Sequence, residues 1–86
     1  MKEKALNLIK KLYNTSDGGA GGYGHIVFDD GNIENEHIRW CIAEAKKGEY
    51  GCSEETKLAS IKALEYFLKL TENERQEVYE KFWIEN

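Results

Sequence analysis

The sequence predicts a mainly α fold: four helices with one short β-strand after a glycine-rich loop, the strand pairing across a dimer. Three observations carry this. Apolar residues recur at helical spacing in four separate stretches. Most of the glycine is gathered in one segment, DGGAGGYGHIVFDDGN, residues 17–32. Within it, GHIVF sets β-branched and aromatic residues between a glycine and a DDGN turn, the pattern of a strand. A chain of 86 residues buries only about 60–65% of the surface its unfolded form exposes, so one core and one domain over residues 1–86 are expected.

Taken in order, residues 3–13 place Ala5, Leu8, Ile9 and Leu12 on one helical face, with Tyr13 adding to it and the lysines mostly outside. NTSDGGAGG then ends regular structure. A lone strand leaves backbone N–H and C=O groups in need of partners. Pairing with a second copy is preferred to folding back on GGAGGYG, because a small core and an apolar edge both gain from association. A second helix, capped by Asn32 or Asn35, carries Ile38, Cys41, Ile42 and Ala45 on one stripe and ends at Lys46, Lys47 and Gly48. Ser53, Glu54 and Glu55 open a third. Leu58, Ile61, Leu64 and Leu68 line one of its faces, and Ala59, Ala63, Tyr66 and Leu70 much of another, which predicts the central helix of the core. Thr71 followed by Glu74 is a capping box opening a fourth, with Val78, Tyr79, Phe82 and Trp83 on its inner side.

Charge is unevenly placed along a chain of net −4. Residues 1–13 carry Lys2, Lys4, Lys10 and Lys11 against Glu3, whereas residues 14–36 carry Asp17, Asp29, Asp30, Glu34 and Glu36 with no Lys or Arg. An acidic chain with so acidic a centre lacks the clustered cations that neutralise phosphates, so no nucleic-acid partner is expected. No run approaches the 18 or so apolar residues of a membrane span, and ALNLI is too short for a signal-peptide core, which predicts a cytoplasmic protein without a membrane partner. In a reducing compartment Cys41 and Cys52 are expected as thiols.

Gly19, Gly21, Gly22 and Gly24 lie within a G-x-G-x-x-G pattern, whose amides can approach phosphate because no side chain intervenes. Here the glycines follow a helix and precede a strand, the reverse of the dinucleotide-binding order. A kinase-like loop would need a downstream lysine and catalytic loop that are missing, and no Gly-Lys-Ser/Thr makes a P-loop. His37 and Cys41, four residues apart on one helix, have the spacing of two metal ligands, with His25 or Asp30, and Cys52 further on, as candidates to complete a set. No Cys-x-x-Cys or His-Glu-x-x-His strengthens that set, and no metal or other cofactor is assigned. A Cys-His enzyme would use Cys41 as nucleophile and His25 or His37 as base, oriented by Asp29 or Asp30. A cysteine on an apolar helical stripe is the opposite of the electropositive setting that activates a thiol, so Cys41 reads as core and binding is preferred to catalysis. Asp29 and Asp30 equally suit the shaping of a turn.

GGYGHIVFDDGNIENEHIRWCIAEA, with the later LTENER, resembles a group of small phage and prophage proteins. In that group a glycine-rich segment precedes an H-I-V-x-D-D-G-N strand and turn, a helix with a His-Ile-x-x-Cys stretch, and a Leu-(Ser/Thr)-x-x-Glu-Arg motif. The resemblance covers roughly residues 19–76 and carries no catalytic assignment. It implies a small accessory binding protein in the cytoplasm of a host cell, of the kind that antagonises host antiviral defence by occluding a host protein or by sequestering a nucleotide signal. The sequestering version would use Gly21, Gly22, Tyr23, Gly24, His25, Asp29, Asp30, Asn32, His37 and Arg39. Amides and His25 would meet phosphates while Tyr23 or Trp40 stacks on a base, with Lys10 and Lys11 offsetting the local negative charge. The alternative is an acidic inhibitor whose Glu34, Glu36 and last-helix carboxylates occlude a basic host protein. A small metal-dependent or Cys-His enzyme is the third reading.

Overall fold

Helices of 13 or 14 residues are marginal alone in water, so each helix of this chain depends on the face it buries. The computed structural model describes residues 1–15, 31–47 and 53–85. It holds four α-helices: α1 (Lys2–Thr15), α2 (Asn35–Lys47), α3 (Glu54–Phe67) and α4 (Glu72–Glu85). The pair α1 and α3 forms the centre, with α2 packed on the free side of α3 and α4 on the free side of α1. Lys4 of α1 lies over the Tyr66 ring near the end of α3, while Lys11 and Glu55 line one groove at the other end, so the two central helices run antiparallel.

The fold class read from the sequence is corrected by this arrangement. Among the described residues the protein is all-α, with four helices and no strand. The physical reason is that the helices close the core by side-chain packing and present no strand edge among the described residues. The GHIVF stretch itself lies outside the described residues.

Buried side chains show which helical faces the fold selects. Helix α1 buries Ala5, Leu6, Ile9 and Leu12, with Leu6 in place of the predicted Leu8, which is only half-buried. Helix α2 buries the predicted stripe of Ile38, Cys41, Ile42 and Ala45. Its cap position falls on Glu34, between the two asparagines: the Ile38 N–H donates to the Glu34 carbonyl at 3.0 Å, and the Asn32 Oδ1 accepts the Glu34 N–H at 3.3 Å. Helix α3 departs most from expectation. It buries Thr56, Ser60, Ala63, Leu64 and Phe67, and leaves Leu58 57% exposed.

Both predicted caps around α3 and α4 form. Ser53 Oγ accepts the Thr56 N–H at 3.2 Å and donates to Thr56 Oγ1 at 3.0 Å, which lets a buried threonine start an apolar face with its hydroxyl satisfied. At α4 the Thr71 N–H donates to Glu74 Oε1 at 2.9 Å and the Glu74 N–H to Thr71 Oγ1 at 3.2 Å, closing the capping box. The inner face of α4 is Arg75, Val78 and Phe82, with Tyr79 half-buried and Tyr13 of α1 against Phe82 at 4.9 Å between ring centres.

Two predictions follow from this packing. Among the described residues the Ser60 Oγ is buried without a hydrogen-bond partner, so Ser60→Ala should raise stability by about 1 kcal/mol, read as a higher urea midpoint at an unchanged slope. The bond from the Thr71 N–H holds the Glu74 carboxyl below its ordinary value of 4.5, so the contribution is complete above that value and fades as pH falls through the lowered one. The difference in urea midpoint between the native chain and Glu74→Gln should be larger at pH 6 than at pH 3.

Candidate functional site

Of the ten ligand residues predicted from the sequence, Gly21, Gly22, Tyr23, Gly24, His25, Asp29 and Asp30 lie outside the described residues, as does Cys52. Asn32, His37 and Arg39 are described, and they stand where the glycine segment hands over to α2. Gly31 has φ +72°, and a Cβ there would come within 3.0 Å of the Tyr79 hydroxyl. Both the left-handed backbone and the close phenol therefore call for glycine at 31. Asn32 is spent on ordering the turn before α2, through its bond from the Glu34 N–H.

The residue that organises this corner is Arg75, which the sequence reading did not single out. Its side chain is 2% exposed, yet its guanidinium is satisfied by backbone: Nε donates to the Phe67 carbonyl at 2.9 Å and Nη1 to the Ile33 carbonyl at 2.9 Å. Phe67 closes α3, so its carbonyl lies at the negative end of that helix, where a cation is favoured. Arg75 and Tyr79 are four residues apart on α4 and together back the segment 31–33. A signal was present in the sequence: Arg75 leads the spacing Arg75, Val78, Tyr79, Phe82, in which every other member is apolar or aromatic.

Arg39 is exposed on α2 and makes no ion pair among the described residues, but its charge reaches Arg75. Burial is the main force lowering the Arg75 pKa; Glu72 opposes it, and Arg39, the smallest of the three influences, lowers it further. The guanidinium stays protonated through such a shift, and Glu72 offsets more than Arg39 adds.

His37 and Cys41 do meet, at 3.7 Å between Nε2 and Sγ, and the His37 ring stacks on Trp40 with 6.0 Å between centres and 19° between planes. Cys41 is fully buried in the core cluster, where its sulfur is shielded from a substrate. No group of three His, Cys, Asp or Glu side chains that could hold a metal occurs among the described residues. The pair therefore packs a thiol beneath an imidazole, and the exposed side of α2 carries Glu36, Arg39, Trp40, Ala43, Lys46 and Lys47. No helix among the described residues is long and apolar enough to cross a membrane. Comparison with protein-family models, curated proteins and solved structures finds no match for this chain.

Arg75→Met should cost about 2–3 kcal/mol in urea unfolding, because it strips a buried carbonyl of its donor. Arg75→Lys should recover only part of that loss, since one ammonium cannot span two carbonyls as a planar guanidinium does.

Proposed function

We propose that this chain is a non-enzymatic, phage-type accessory protein that sequesters a small nucleotide and so antagonises a host antiviral defence. One observation carries the reading: Arg39 and Trp40 are both exposed on α2, Arg39 without an ion pair among the described residues and Trp40 with its ring stacked on His37. A phosphate would pair with the Arg39 guanidinium, and the reading assigns the amides of the preceding glycines as further donors unobstructed by side chains. Trp40, half exposed beside Arg39 and stacked on His37, supplies an aromatic surface suited to a base. The resemblance of residues 19–76 to small phage and prophage proteins supports the biological setting.

An acidic inhibitor of a basic host protein has the carboxylates of α4 in its favour. One of those is already neutralised, however: Lys2 pairs with Glu77 at 2.5 Å. The nucleotide reading is preferred for that reason.

The test is thermal and chemical unfolding of the native chain with a panel of cyclic and linear nucleotides. A ligand at about 100 times its dissociation constant should add roughly 2.7 kcal/mol. Arg39→Ala should abolish the gain while leaving the unliganded midpoint intact, because Arg39 is exposed and makes no ion pair among the described residues. No stabilisation by any nucleotide would remove the proposal.

A further inference from the structure

Away from the Arg39 corner, a groove of about 190 Å³ runs between α1 and α3. Leu8, Leu58 and Ala59 line it with apolar surface, Lys11 stands on the α1 lip, and Lys62 and Glu55 stand on the α3 lip. None of these residues is among the ten predicted ligand residues; Ala59 packs against the core, Leu8 is half-buried and Leu58 is exposed. The buried stripe of α3 passes through Thr56, Ser60, Ala63, Leu64 and Phe67, which turns Leu58 outward to 57% exposure.

The last turns of α4 carry the complementary pattern. Ile84 is 83% exposed, the highest value among the exposed large apolar side chains. Glu80, also exposed, precedes it by four residues and so shares its face of the helix. An apolar anchor with a carboxylate one turn away matches an apolar groove with a lysine on each lip. The same chain thus carries both halves of a contact, an acid-flanked isoleucine and a lysine-flanked groove, on different helices.

We propose that the α1–α3 groove receives the Ile84 end of α4 from a second copy of this chain, with Glu80 meeting Lys11 and Lys62. Such a contact joins two different surfaces. It closes into a two-fold pair if each copy offers its α4 to the other, and otherwise propagates as a chain of copies. It uses no strand and is independent of the nucleotide reading. Rim charges of this kind steer and orient association, so it weakens as salt rises.

The experiment is sedimentation of the full chain over a concentration series from micromolar to millimolar, at low and high salt. Self-association is expected, with Leu58→Asp and Ile84→Asp each raising the dissociation constant about tenfold or more. Both positions are exposed, and retained helical circular dichroism checks the fold. A charge exchange gives the sharper readout. Lys62→Glu alone and Glu80→Lys alone should each weaken association, while an equimolar mixture of the two variants should recover it, because each groove then meets an oppositely charged helix end. A monomer at every concentration overturns the proposal, as does an assembly insensitive to Leu58→Asp and Ile84→Asp, or a mixture no tighter than its separate variants.

Discussion

The buried guanidinium of Arg75 is the interaction on which the arrangement of this protein turns. Taking a charged group out of water is costly unless its donors are met, and here two backbone carbonyls meet them: Phe67 at the end of α3 and Ile33 ahead of α2. Phe67 is a favourable acceptor because the helix end concentrates negative potential, and its carbonyl also receives the Leu70 N–H at 3.1 Å. One side chain from the second turn of α4 thereby fixes where α3 stops and where α2 begins. The remaining cost is shared with Glu72, one turn back, whose charge favours the cation.

That lock also sets how α2 begins. The segment 31–33 is held from behind by Arg75 and Tyr79, so these residues enter α2 at a defined place. Arg39 then faces outward from a helix whose opposite stripe is sunk into the core.

How much of this could be read beforehand depended on whether local or distant forces set each feature. The stripe of α2 was legible because Ile38, Cys41, Ile42 and Ala45 leave no competing apolar face, and the Thr71–Glu74 box was legible because both partners lie within one turn. Helix α3 was misread because it is apolar on more than one side. Which side turns inward is settled by α1 and α2, and they select Phe67 and two hydroxyl residues over Leu58. The mixed fold class failed for a related reason, since β-branched composition cannot create the neighbouring edge that a strand requires, and the described residues hold helices and no strand. Arg75 was hidden because a charged residue is ordinarily assigned to solvent. Its exception rests on the Ile33 carbonyl, 42 residues away in sequence.

That separation has a consequence for the order in which the molecule is made. Helix α2 leaves the ribosome well before α4, and thirteen residues are too few to hold a helix on their own. The turn that leads into α2 therefore waits, unsecured, until Arg75 has been synthesised and can reach back to it. The start of α2 is tied to the arrival of α4, so a ribosome paused before residue 75 carries a chain that has α2 but not yet the side chain that secures its entry.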